Sequence, residues 1–257
     1  MIRSTLVSLG VASAALFVVP PVASAASVEI GKLDAGLALS CPSSPVTHQC
    51  FAFAHSTGYQ AKVGTKRGLM TVPSNGRIVA FTIALGKPGP KQTAFFTDDP
   101  AGKLFGEPEI QLTILDPKRK LRSRVAAQSS PFLVRRYFGQ TITIALGRSL
   151  QVKKGQIVAV TTKTWAPIFA IDLATDTSWR ASRAKGTCTD FDQQVAQSDP
   201  LQLAQYYCLY RGVRLAYSAT LIPAPVPNPA TTTPKKKTST GTTGKTGATG
   251  KTGTTAK

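Results

Sequence analysis

Few side chains in this chain could carry a reaction. His48 and His55 are the two histidines, and their seven-residue spacing matches no standard zinc pattern. Four carboxylates, Asp98, Asp99, Glu107 and Glu109, lie close together in sequence. A glycosidase works with two carboxyl groups held at different pKa values, and Glu107 and Glu109 would share one face of a strand. The same oxygens could serve as loose calcium ligands, but solvated surface acids are the simpler reading. No G-x-S-x-G run is present, so a serine–histidine hydrolase finds little support. The expectation is a chain without catalytic residues, cofactor or bound metal, with enzymatic activity left open.

Binding chemistry has better candidates. Trp179, with Asp176 and Arg180 nearby, could stack on a sugar ring. Tryptophan is highly buried on average, so packing is the competing role. The chain carries 31 Lys+Arg against 12 Asp+Glu, a formal charge of +19. Such a chain adsorbs to polyanions: nucleic acid, anionic wall polymers or acidic lipid headgroups. Lys235, Lys236, Lys237, Lys245 and Lys251 crowd the C-terminal end and are candidates for envelope binding.

The N-terminal residues bear on that choice. Arg3, the apolar run Leu6 to Val19 and Ala23-Ser24-Ala25 make residues 1–25 a cleavable signal peptide. The run is short for a bilayer span and Pro20-Pro21 interrupts it, so no transmembrane segment is expected. Export argues against a specific nucleic-acid partner. It also suits Cys41, Cys50, Cys188 and Cys208, which can pair in three ways. Proximity in sequence favours Cys41–Cys50 and Cys188–Cys208.

Residues 26–222 must supply the folded body. Val79, Phe81, Ile83 and Leu85 alternate with smaller residues, as do Ile110, Leu112 and Ile114. Ile142, Ile144 and Leu146 repeat the pattern, and so do Val213, Leu215, Tyr217, Ala219 and Leu221. Leu150 to Thr162, LQVKKGQIVAVTT, reads as a hairpin turning at Lys153-Lys154-Gly155. Residues 86–106 read as a long loop, Lys118 to Arg124 as an exposed basic connection, and 189–207 as holding a short helix capped by Thr189. Phe81, Leu112, Ile144, Val158 and Leu215 are expected inside. Many short alternating runs with little helical period predict an all-β antiparallel sandwich, jelly-roll-like.

Residues 223–257 differ in composition. A Pro/Thr-rich linker leads into a Lys/Gly/Thr tail with glycine at 241, 244, 247, 250 and 253. Five G-X-Y triplets without proline are too few for an independent triple helix. The tail therefore reads as disordered and basic, and oligomeric state stays open.

The leader, the Asn75-Gly76 turn before RIVAFTIAL, EPEIQLTIL at 107–115, LQVKKGQIVAV at 150–160 and RLAYSATL at 214–221 carry a resemblance. The arrangement is similar to uncharacterised secreted β-sandwich proteins of high-GC Gram-positive bacteria, of jelly-roll or carbohydrate-binding-module type. The resemblance implies an extracellular sandwich and no catalytic residues. The expected function is a secreted, non-catalytic protein of the cell envelope that binds an anionic or carbohydrate surface polymer. The alternatives are a carbohydrate-active protein, either a binding module or a glycosidase, and a structural oligomer assembled through the tail.

Overall fold

The computed structural model describes residues 26–41, 50–98, 106–189, 196–197 and 199–225. The leader, the Lys-rich tail, His48 and Asp99 lie outside them. Contacts divide the chain into two units, Met1–Pro225 and Val226–Lys257, and every described residue belongs to the first.

The fold is all-β, and its strands pair antiparallel. One sheet has the order β1 (Val28–Ile30), β15 (Tyr217–Pro223), β4 (Gly76–Ala84), β8 (Thr141–Val152). The larger sheet runs β12 (Leu203–Gln205), β6 (Arg122–Gln128), β5 (Glu109–Pro117), β9 (Ile157–Ala166), β2 (Phe53–Val63), β11 (Ser178–Ala181), β13 (Cys208–Arg211). Short β3 (Lys66–Arg67) joins β2, and β7 (Phe132–Leu133) joins β5. β10 (Phe169–Ala170) pairs with β14 (Arg214–Leu215).

The alternating residues seen in sequence face each other across the two sheets. Ile78, Phe81, Ile83, Ile144, Tyr217 and Leu221 from the smaller sheet form one buried cluster with Ile110, Leu112, Ile114, Val158 and Val160 from the larger. Phe81, Leu112, Ile144, Val158 and Leu215 are all interior. Tyr217 reaches across the core, and its hydroxyl donates to the Val158 carbonyl at 2.9 Å. The sulfur pairs are Cys41–Cys50 and Cys188–Cys208.

The larger sheet is curled, and connectivity shows why. β12 and β13 are its opposite edges, yet only Tyr206 and Tyr207 separate them in the chain. That link spans about 10 Å at most, whereas seven flat strands would spread over about 29 Å. The sheet must therefore roll until its edges nearly meet. The rolled face encloses a second interior, with Leu115, Val125, Ala159 and Tyr206 as its apolar part.

Its polar part is a chain of hydroxyls. Thr161 Oγ1 lies 2.7 Å from Thr57 Oγ1 and 2.6 Å from Thr113 Oγ1. The Gln197 amide N–H donates to Thr57 Oγ1, and Gln128 Nε2 donates to Thr113 Oγ1. Tyr206 donates its hydroxyl proton to Gln197 Oε1. Burial, foremost, pushes the Tyr206 and Tyr217 hydroxyls well above the usual tyrosine range.

Several sequence expectations need correction. Leu150–Thr162 is not a hairpin. β8 lies in the smaller sheet and β9 in the larger, so the Lys153–Gly155 turn crosses between layers. Asn75 Oδ1 accepts the Lys154 N–H at 2.9 Å and holds this turn, and Gly155 takes the expected positive φ of 88°. The loop at 86–106 contains α1 (Pro90–Thr97), with proline at the start, where its missing N–H is harmless. The exposed basic connection is shorter than expected: Lys118–Leu121 turn the β5–β6 hairpin, with Lys120 and Leu121 both at φ 57°, and Arg122–Arg124 already pair within β6. The last strand breaks into β13, β14 and β15. Within 189–207 the described residues hold β12 and no helix, because pairing with β6 takes those backbone groups. Residues 190–195, where Thr189 was expected to cap a helix, lie outside the described residues.

Candidate functional site: a basic groove between β6 and β8

The residues proposed for sugar stacking do not converge. Asp176 sits exposed in the turn before β11, while Trp179 is buried. Alternation along β11 sends Arg180 to the opposite face, where its Nη1 donates to the Tyr206 and Tyr207 carbonyls at 2.9 and 3.0 Å. Trp179 packs edge-on to Phe53 and stacked on Tyr210, with ring centroids 5.6 and 4.7 Å apart. Of the carboxylates, Glu107 is held by Arg135 at 2.8 Å, and the Asp98 backbone closes α1. Among the described residues, no group of three His, Cys, Asp or Glu could hold a metal. No helix among them is long and apolar enough to cross a membrane. The candidate tail lysines 235, 236, 237, 245 and 251 lie outside the described residues.

A different set of side chains does converge. In the β4–β8 ladder Ile78 pairs with Leu150 but Ala80 pairs with Ala145. Four β8 residues, 146–149, therefore stand against Val79 alone and bulge outward, a device that re-aims side chains. The bulge carries Arg148. Arg77 opposes Gln151 on the neighbouring strand, and its Nη1 donates to Ser149 Oγ at 3.2 Å. Lys153 follows at the end of β8. These three cations line a groove of about 580 Å³ together with Ala126, Ala127 and Gln128 of β6 and with Ser149, Gln151 and Gln156.

No acidic side chain lines this groove, and all three cations are exposed. A second hollow of about 430 Å³ adjoins it, sharing Gln128, Arg148 and Leu150 and adding Ser129, Ser130 and Phe132. On the other side, β6 leads away through exposed Arg124 and Arg122, which alternate with buried Val125 and Ser123. The strand ends at the Lys118-Arg119-Lys120 turn, where Asp116 engages Lys118 at 2.5 Å. The seven residues of β6 span about 23 Å. The strip is thus long, positive and furnished with amide and hydroxyl groups. Such a surface presents positive charge and hydrogen-bond donors and acceptors along its length.

Sequence reading missed Arg77, Arg148 and Lys153 as a group. Each stands on an exposed strand position or turn, and 71 residues separate Arg77 from Arg148 before the β4–β8 register joins them. No protein-family model, curated protein or solved structure matches the chain.

Proposed function

We propose that this protein is an exported, non-catalytic β-sandwich of the cell envelope that holds an anionic surface polymer along the β6–β8 groove. The observation that carries this reading is the convergence of Arg77, Arg148 and Lys153 on one groove without an acidic neighbour. Two disulfides fit an oxidising compartment outside the cytosol, in keeping with the leader. The excess of cations favours capture of polyanions, and Gln128, Ser149, Gln151 and Gln156 add partners for hydroxyl groups.

The test is retention of the mature chain on immobilised poly(glycerol phosphate), with neutral dextran as control. Exposed charge pairs are screened beyond about 8 Å at physiological salt, so retention should fall as salt rises. The triple variant R77Q/R148Q/K153Q should elute at clearly lower salt than the parent with an unchanged melting curve. Elution of parent and variant at the same salt would remove the groove from the function.

A further inference from the structure

A third cavity, of about 630 Å³, opens off the end of the sandwich core. Its inner wall is aromatic. Phe53, Phe169 and Trp179 belong to the core cluster and also line the cavity, with Tyr210 stacked on Trp179. Phe51 and Phe95 stand at its mouth, 51% and 69% exposed. Both disulfides contribute to the wall through Cys50 and Cys188. Cross-linking at two points fixes this end of the molecule before any ligand arrives, and preorganisation of that kind favours binding.

Three polar side chains interrupt the apolar lining, and one of them, Thr189, is exposed. Arg183 is buried and committed to the protein: its Nη1 donates to the Cys188 carbonyl at 2.9 Å and to the Tyr210 hydroxyl at 2.6 Å. Ser56 is different. It is 1% exposed, it lines the cavity, and its Oγ has no hydrogen-bond partner. A buried hydroxyl without a partner is costly, and native proteins seldom keep one without a reason. The backbone beside it is also irregular. His55 takes φ 43°, and β2 shifts register against β9 between Ala54 and Ser56. Bulges of this kind aim side chains near functional sites.

We infer that this cavity binds an uncharged apolar ligand whose one polar group meets Ser56 Oγ. Ligand sites typically enclose about 300–1,000 Å³ and combine an apolar wall with a few placed polar groups. At roughly 30 Å³ per heavy atom, as for liquid water, the volume admits a body of about 20 non-hydrogen atoms. Either a single aliphatic chain or a fused aromatic body meets that description. The site lies apart from the basic groove and shares no lining residue with it.

The experiment uses the mature chain and two uncharged fluorescent probes of nearly the same shape. N-phenyl-1-naphthylamine carries one N–H, and 1-benzylnaphthalene has a methylene in its place. Both should bind saturably with one site per chain and quench tryptophan emission, since Trp179 forms the wall. The N–H probe should bind about three- to tenfold more tightly, the worth of one net hydrogen bond. Ser56→Ala should erase that difference while leaving the melting temperature equal or higher, because it removes a hydroxyl that has no partner. Ala54→Phe, which fills the cavity, should abolish binding of both probes while retention on poly(glycerol phosphate) stays unchanged. Displacement by hexadecanol would identify an aliphatic ligand, and displacement only by fused-ring compounds an aromatic one. Non-saturable probe uptake, or equal affinities of wild type and Ala54→Phe, would overturn the site. Persistence of the N–H preference in Ser56→Ala would overturn the role of Ser56.

Discussion

Replacing Thr161 by valine tests the second interior most directly. Threonine and valine have nearly the same shape, so the change opens no cavity and isolates the hydroxyl. Thr161 is fully buried, as are Thr57 and Thr113, whose oxygens lie 2.7 and 2.6 Å from its own. Each neighbour already accepts a proton from an amide, Thr57 from the Gln197 N–H and Thr113 from Gln128 Nε2. Thr161 has a single proton, so it donates to at most one of these neighbours and accepts from at least one. Valine would break both buried hydrogen bonds and strand at least one donor, each bond at about 1–2 kcal/mol, a loss of about 2–4 kcal/mol in all. For a body of this size that corresponds to a fall in melting temperature of about 5–15 °C. Urea unfolding of the oxidised protein at neutral pH is the assay. Thr113→Val and the double variant complete a cycle, in which the double change should lose less than the sum of the single ones. A Thr161→Val protein within about 0.5 kcal/mol of wild type would refute the hydroxyl chain as a source of stability.

Leu112→Ala removes a fully buried side chain between the sheets and should lower stability by about 2–5 kcal/mol in the same urea assay. Replacing Cys188 and Cys208 together by serine opens a loop with a sequence separation of 20, and should lower stability by about 3 kcal/mol. Burial raises the folded-state pKa of Tyr206 and Tyr217, so the unfolded chain loses those protons first. Stability from these groups is thus complete below about pH 10 and lost as pH climbs above it; urea midpoints measured across that range should fall only on the alkaline side. Deleting 231–257, which contains lysines and no acid, should leave the melting curve in place and weaken salt-sensitive retention on purified cell walls.

The sandwich core was legible because its signal is local. Alternation at Phe81–Ile83 and Leu112–Ile114 needs only the two-residue period of a strand, and one buried face enforces it. The assignment of strands to sheets was not local. LQVKKGQIVAV has the pattern of a hairpin, yet nothing inside it records that β8 pairs with β4 and β9 with β5 and β2. The second interior hid behind the assumption that polar alternates face water. Gln111, Thr113 and Thr161 are all buried, and the clue lay in their kind: small hydroxyls and amides where a solvated strand would carry lysine or glutamate. α1 was masked by Pro90, which breaks a helix elsewhere but opens one at its first position. Trp179 could be picked out as notable, but only the fold shows that it faces a cavity and that Arg180 faces away.

The place of β15 bears on when this molecule can fold. The last strand of the body lies inside the smaller sheet, between the first strand, β1, and β4. Val28 meets Leu221, and among the described residues β15 is the only strand that β1 pairs with. A chain emerging N-terminus first therefore holds β1 without a partner until nearly the whole body has been made. Contacts of such long sequence separation slow folding. The smaller sheet can therefore close only once residue 223 is available, so the core between the sheets stays open until synthesis of the body is nearly complete.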